Sequence, residues 1–122
     1  MASFEEVGNQ FVTHYYNVFD TQRDQLASLY TEQSMLTYEG EQFLGVQSIM
    51  GKLAGMPSIR HKLVSFDAQP TFNNGILAFV GGELIIDGDV ERPMHFSQVF
   101  HLCQGGQAGY YCHNDLFRLN IN

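Results

Sequence analysis

The chain has 122 residues, 44% of them hydrophobic, and a formal net charge of −7 from 13 acidic residues against six Lys and Arg. This length predicts one domain over residues 1–122 with a single hydrophobic core. The charge excludes a protein that tracks nucleic-acid phosphates, because such a protein needs clustered Lys and Arg. No apolar run approaches the roughly 18 residues needed to cross a bilayer, and the N-terminus lacks the pattern of a secretory signal. We therefore expect neither nucleic acid nor membrane as a partner.

The first predicted element is a long helix. Ser3 and Glu6 form a capping box, and Glu5 is well placed for the helix dipole. Apolar residues from Phe4 to Phe19 repeat with the 3.6-residue period for more than four turns. The sequence therefore predicts an amphipathic helix that ends near Asp20.

Shorter elements follow the first helix as far as Pro57. The patterns predict a short helix at Gln22–Tyr30, a hairpin of strands Met35–Tyr38 and Gln42–Leu44 around a turn at Glu39–Glu41, and a helix at Val46–Leu53.

The second half of the chain predicts strands. They are expected at Arg60–Gln69, Ile76–Ile86, Met94–Cys103 and Tyr110–Asn120, with turns at Asn73–Gly75 and Asp87–Asp89. The paired glycines at Gly81–Gly82 indicate a bulge or sharp bend. Helices followed by long antiparallel strands indicate an α+β fold. Helices packed inside a strongly curved sheet make a cone with an apolar mouth.

Motifs for catalysis and metal binding are missing from the sequence. It has no phosphate-binding loop, no dinucleotide fingerprint, no zinc spacing and no nucleophile elbow, so we expect no cofactor and no metal. A small enzyme remains the alternative, with an Asp and a His in the cone as acid and base. Its candidate residues are His61, Asp67, Tyr111, His113 and Asp115.

Acidic residues are placed in pairs on two predicted turns. Glu39 and Glu41 share one turn, Asp87 and Asp89 share the other, and apolar residues flank both. Solvated turns are the ordinary interpretation of such pairs. An apolar mouth with a carboxylate rim would instead fit a partner that inserts an aromatic or aliphatic side chain flanked by Lys or Arg.

Four blocks of the sequence resemble the nuclear transport factor 2 family. They are Phe11-Val12-x-His14-Tyr15-Tyr16-x-x-Phe19-Asp20, Leu36-Thr37-Tyr38-Glu39-Gly40 with Phe43-x-Gly45, Gln98-Val99-Phe100, and Asn114-Asp115-x-Phe117-Arg118-Leu119. The resemblance covers nearly the whole chain. It implies the cone-shaped α+β fold, a homodimer joined through the sheets, and a carrier rather than a catalyst. Family members bind the GDP form of the small GTPase Ran and phenylalanine–glycine repeats of nuclear pore proteins, and return Ran to the nucleus.

The resemblance also implies roles for individual residues. Glu39, Asp87 and Asp89 match the acidic rim that pairs with basic residues of the GTPase. The apolar socket for an aromatic side chain of switch II is matched by Tyr38, Met56, Ile59, Leu84, Ile86, Met94 and Phe117. Phe4 stands where the family usually has a Trp that contacts repeat phenylalanines, and Tyr38 also departs from a frequent Trp. Phe4 has a second interpretation, as an apolar staple on the first helical turn.

Two further features leave alternatives open. Cys103 and Cys112 flank a predicted turn, and two reduced thiols are favoured over a bridge between the strands. Phe96, Phe100 and His101 lie on one predicted strand, and the alternation of side chains does not tell which of them face a dimer partner and which face the core.

Overall fold

The computed structural model describes residues 3–106 and 109–120 of the chain. Two α-helices and a 3-10 helix combine with six strands, in the order α1 (Phe4–Thr21), the 3-10 helix (Arg23–Leu29), β1 (Met35–Tyr38), β2 (Glu41–Leu44), α2 (Val46–Ala54), β3 (Ile59–Thr71), a 3-10 turn (Phe72–Asn74), β4 (Gly75–Ile86), β5 (Met94–Gly106) and β6 (Gly109–Leu119). The α+β fold with helices packed on one sheet is therefore confirmed.

The six strands form one sheet in the order β2-β1-β6-β5-β4-β3. All neighbouring pairs are antiparallel except β1 and β6, which run parallel with Leu36 opposite Asp115. The sheet is thus mixed, and the expectation of a purely antiparallel sheet is wrong on this point. The reason is that β1 and β6 are far apart in sequence, so no local turn fixes their relative direction.

The helices begin and end close to the predicted residues. Ser3 caps α1 by accepting a hydrogen bond from the Glu6 amide at 3.2 Å, and its hydroxyl donates to the Glu6 carboxylate at 3.3 Å. The short helix after α1 is a 3-10 helix of seven residues rather than an α-helix, which is long for this type of helix. No helix in the described part of the chain is both long and apolar enough to cross a membrane.

Strand β3 carries the bulge that curves the sheet. Leu63 pairs with Gly82 and Ser65 pairs with Gly81, so Val64 is an extra residue opposite the two glycines. A Cβ at Gly82 would collide with the Lys62 carbonyl and would lie 2.8 Å from the Phe96 ring, so this position needs glycine. The predicted irregularity at Gly81–Gly82 is confirmed, with the extra residue on the partner strand.

The core lies between α1 and the concave face of the sheet. Phe96 and Phe100 are fully buried there against the rings of Tyr15 and Tyr16. His101 is on the opposite, outer face, where its Nε2 lies 3.0 Å from the Thr71 hydroxyl. Of the three residues left open by the sequence, two therefore face the core and one faces outward.

The two cysteines are free and lie on opposite faces of the sheet. Leu102 pairs with Cys112 and Cys103 pairs with Tyr111, so the thiols are not opposite each other. Cys112 is fully buried, and its burial raises the pKa of the thiol. It therefore stays a neutral core side chain at pH 7.

Candidate partner-binding site

All residues of the expected site that belong to strands lie at one end of the sheet. Strands β1, β4 and β6 end there, and β3 and β5 begin there, because Tyr38 pairs with Phe117, Leu84 with Met94 and Ile59 with Ile86. The turns that carry Glu39 and Asp87 follow β1 and β4 at this same end. Three strand spacings separate them, roughly 14 Å along the sheet before curvature brings them closer.

The socket residues also share one face of the sheet. Successive side chains of a strand alternate between faces, and paired residues of neighbouring strands point to the same side. By this register the concave face receives all the strand members of the set, namely Tyr38, Ile59, Leu84, Ile86, Met94 and Phe117. Met56 lies in the loop between α2 and β3, next to Ile59. The seven residues expected for the socket therefore surround the mouth of the cone.

The socket is a shallow mouth with a closed floor rather than an open hollow. Ile59, Leu84 and Phe117 are each at most 2% exposed, so they form the floor. Tyr38 stacks on Phe117 with ring centroids 4.3 Å apart and nearly parallel planes. The accessible wall is formed by the half-buried side chains of Tyr38, Met56, Ile86 and Met94. The two methionines of this wall have unbranched thioether side chains, which adapt readily to a contacting group.

The rim residues occupy tight turns with left-handed backbone conformations. Glu39 has φ 51° and Asp87 has φ 51°, and each is followed by a glycine that also has positive φ. The Glu39 carboxylate accepts a hydrogen bond from the Leu119 amide, which ties the β1–β2 turn to the end of β6. The Asp87 amide donates to the Ser58 carbonyl at 2.8 Å, which ties the β4–β5 turn to the α2–β3 loop. Asp89 is exposed beside it.

Arg23 stands behind this mouth and was not among the expected site residues. Its guanidinium donates to carbonyls of the α2–β3 loop and lies 4.7 Å from the centre of the Phe19 ring. The charge of Arg23 also acts on the Tyr38 phenol. Burial and the Glu39 carboxylate raise the pKa of Tyr38, whereas the Arg23 guanidinium acts to lower it. Sequence reasoning missed Arg23 because no local pattern shows which carbonyls a long side chain will reach.

Asp115, one of the five candidates of the enzyme alternative, is buried in the core. It is 1% exposed, and its two oxygens accept hydrogen bonds from the Gln98 amide at 2.7 Å and the Tyr30 hydroxyl at 2.8 Å. Burial raises its pKa to about 6, against the lowering effect of these hydrogen bonds. The Tyr16 hydroxyl completes the network through Gln98 at 2.6 Å. Every buried polar side-chain atom of the described residues has a partner, so this network is closed to a substrate.

The other enzyme candidates do not meet at Asp115. His61 is enclosed by aromatic rings, and its Nδ1 lies 2.7 Å from the Asp20 carboxylate, so it joins the end of α1 to β3. Asp67 is exposed, and Tyr111 pairs with His113 through a contact of 3.2 Å. Within residues 3–106 and 109–120, no group of three or more His, Cys, Asp or Glu side chains could hold a metal ion.

The outer face of the sheet carries an apolar depression of about 570 Å³. Its lining includes Phe72, Leu77, Val99 and Leu116, of which Phe72 is 89% exposed. The side chains of Leu77, Val99 and Leu116 come from neighbouring strands and point to one side, because Leu77 pairs with His101 and Val99 pairs with Leu116. A contiguous apolar area of this kind is typical of a protein-binding surface.

Phe4 is placed at the other end of the molecule. It begins α1 and is 36% exposed. Gly8, one turn further along α1, packs on Ile76 at the start of β4, which is the end of the strand away from the rim. The expected repeat contact and the expected Ran site are therefore well separated on each chain.

Comparison with known proteins places the whole chain in one family. Residues 7–119 match the nuclear transport factor 2 domain. The chain is 46% identical over 124 residues to nuclear transport factor 2 of Kluyveromyces lactis, covering 99% of this chain and 98% of that protein. It is likewise 46% identical over 119 residues to nuclear transport factor 2B of Arabidopsis thaliana, covering 95% of this chain and 94% of that one.

A solved structure agrees with this assignment. The structure of nuclear transport factor 2 from Cryptosporidium parvum superposes with a TM-score of 0.89 at 44% identity, covering 96% of this chain and 94% of that chain. Full-length identity at this level, on the same fold, makes the protein a transport factor and not an enzyme. The chain belongs to the nuclear transport factor 2 family.

Proposed function

We propose that this protein is a homodimeric carrier that binds the GDP form of Ran and returns it to the nucleus through pores lined by phenylalanine–glycine repeats. It then works in both cytoplasm and nucleus and concentrates at the nuclear pore. No cofactor and no catalytic step are involved.

The observation that carries this proposal is the convergence of two acidic turns and an apolar mouth at one end of the sheet. Glu39 and Asp87 stand on turns that are separated by almost fifty residues in sequence, yet both turns flank the same seven apolar side chains. Such a surface fits a basic partner that presents one aromatic side chain. It would not serve a small polar substrate, because its floor offers apolar atoms and aromatic rings.

The two parts of the surface contribute different terms to binding. Burying an aromatic plug against the wall supplies about 1.5–3 kcal/mol, the usual value for one large apolar side chain. The rim carboxylates chiefly raise the association rate and select a positively charged partner. Preference for the GDP form follows if the plug belongs to switch II, because this segment changes conformation with the nucleotide.

The first test compares the two nucleotide forms of Ran. The chain is immobilised and exposed to Ran loaded with GDP or with a non-hydrolysable GTP analogue, and the bound fraction is measured. We expect retention of the GDP form alone. Equal retention of both forms would refute the proposal.

A second test separates the charge of Glu39 from its hydrogen bond. Glu39→Gln keeps an acceptor for the Leu119 amide and removes one negative charge, whereas Glu39→Lys also removes the acceptor. We expect Glu39→Gln to slow association with Ran-GDP at unchanged thermal stability, and Glu39→Lys to abolish capture. Glu32→Lys is the matched control, since the exposed Glu32 precedes the opposite end of β1 and should bind as wild type does.

Repeat binding is tested at Phe4. Phe4→Ala should weaken capture of a phenylalanine–glycine repeat peptide, and Phe4→Trp should strengthen it by adding apolar area. Val90→Ala removes an exposed apolar side chain at the rim end of the molecule and is the control. If Phe4→Ala captured the peptide as wild type does, Phe4 would be only a staple of the first turn.

A further inference from the structure

The Arg23 guanidinium donates three hydrogen bonds to backbone carbonyls. Its Nη1 donates to the carbonyls of Leu53 at 3.1 Å and Met56 at 2.8 Å, and its Nη2 donates to the carbonyl of Pro57 at 2.7 Å. The guanidinium also lies on the Phe19 ring. A planar guanidinium holds several acceptors in one fixed geometry, which an ammonium group does not.

These three carbonyls belong to the end of α2 and to the loop that carries the Met56 wall of the socket. The same loop is held from its other side, where the Asp87 amide donates to the Ser58 carbonyl. Arg23 and the β4–β5 turn therefore clamp the loop between them. The clamp fixes the backbone and leaves the Met56 side chain free to adapt to an inserted ring.

We infer that Arg23 is a positioning residue for partner binding, because its guanidinium holds the backbone of the Met56 loop where an inserted aromatic side chain meets a ready wall. The inference rests on the proposed function, since the aromatic plug is the one presented by Ran-GDP. Arg23 itself needs no contact with the partner.

The charge of Arg23 makes this role separable from a simple electrostatic one. Arg23 is a cation beside a rim that attracts a basic partner, so its charge alone slows association. Removing that charge would speed association and tighten the complex if nothing else changed. The positioning role has the opposite effect, because a loosened wall releases the plug faster. The two roles therefore predict opposite changes in affinity.

The experiment measures association and dissociation rates of Ran-GDP for wild type, Arg23→Met, Arg23→Lys and Arg60→Met. Arg60 is exposed on the outer side of β3 near the same end of the sheet, so Arg60→Met matches the loss of charge without touching the loop. For Arg23→Met we expect a dissociation rate raised about tenfold or more. Arg23→Lys should keep the wild-type association rate and show an intermediate dissociation rate. Arg60→Met should dissociate as wild type does.

Wild-type dissociation by Arg23→Met would overturn the inference. Should that variant fail to fold, Arg23→Lys decides in its place, and its dissociation at the wild-type rate would overturn the inference as well. Amide hydrogen exchange adds a readout that a general loss of stability does not reproduce. Faster exchange confined to residues 55–59 supports the clamp, and a uniform increase over the whole chain contradicts it.

A second probe separates this inference from the proposed function. Phenylalaninamide carries an aromatic ring and a positive charge, and its binding is followed by NMR through the methyl groups of Met56 and Met94. If wild type captured neither form of Ran, the proposed function would fail. A chemical-shift change of the Met56 methyl group on adding phenylalaninamide that is seen in wild type and lost in Arg23→Met would still support the positioning role. Equal chemical-shift changes in both proteins would overturn it.

Discussion

Asp115 offers a direct test of the buried network beneath the socket. Asp115→Asn replaces one carboxylate oxygen by an amide NH₂ of the same size. The remaining oxygen still accepts from the Gln98 amide, and the NH₂ can donate to the Tyr30 hydroxyl. Tyr30 can then donate to Tyr15, since the two hydroxyl oxygens are 2.6 Å apart and either can be the donor. The substitution therefore removes a buried charge and keeps the contacts to Gln98 and Tyr30. It leaves the Tyr15 hydroxyl hydrogen without the Asp115 oxygen as its acceptor, a cost that does not change with pH.

The magnitude follows from the shifted pKa of Asp115. Burial raises its pKa from 3.8 to about 6 in the folded chain, although hydrogen bonds from Gln98, Tyr30 and Tyr15 oppose this. Between these two values the folded chain binds more protons than the unfolded chain, so the free energy of unfolding falls as the pH rises through the window. The whole shift corresponds to about 3 kcal/mol, of which roughly 2 kcal/mol fall between pH 4 and pH 7.

The assay is urea denaturation of wild type and Asp115→Asn from pH 4 to pH 7 at one fixed protein concentration. Circular dichroism is the appropriate signal, because the chain contains no Trp. We expect the variant to gain about 2 kcal/mol over wild type as the pH rises through this range. Asp67→Asn, which removes an exposed carboxylate, is the matched control for the substitution itself. A difference between wild type and Asp115→Asn that stays flat or reverses its sign would refute the account of Asp115.

Three further predictions concern the core, the bend and the outer face. Tyr16→Phe leaves the buried Gln98 oxygen without its 2.6 Å hydrogen bond and should lower the free energy of unfolding by about 1–3 kcal/mol in urea denaturation. Gly82→Ala places a Cβ 2.8 Å from the Phe96 ring and should lower the free energy of unfolding by roughly 1–3 kcal/mol in the same assay. An unchanged free energy of unfolding would contradict the close packing at the bend. Leu77→Glu puts a charge on the apolar outer face, which is the expected dimer interface, so analytical sedimentation should show monomers. A variant that dimerises as strongly as wild type would place the interface elsewhere.

The sequence was most informative where local rules decide the structure. The cap at Ser3, the period of α1 and the turn at Glu39 depend on neighbours in sequence, and all three are where the patterns predict them. The sequence correctly indicated the irregularity at Gly81–Gly82 from its paired glycines. It could not give the parallel pairing of β1 with β6, because Leu36 and Asp115 are brought together only by the path of the whole chain.

The candidate site shows the same division. Family resemblance led us to expect a site at the acidic turns and the apolar residues, and the register brings them to one end of the sheet. The closed floor at Phe117 and the clamp by Arg23 were not predictable, because each depends on how side chains from separate elements pack. The sequence also left Asp115 as an acid–base candidate, and only its burial and its hydrogen bonds reveal a structural group.

The parallel pairing of β1 with β6 determines when this surface can be assembled during synthesis. The Glu39 turn stays loose until Phe117 and Leu119 have left the ribosome, since the floor beneath Tyr38 and the amide that holds Glu39 both belong to the last strand. A nascent chain that lacks β6 thus lacks the proposed docking surface, however complete its helices are. The proposed docking surface therefore forms only after β6 has been synthesised, and a loss of residues from the end of β6 costs this surface as well as stability.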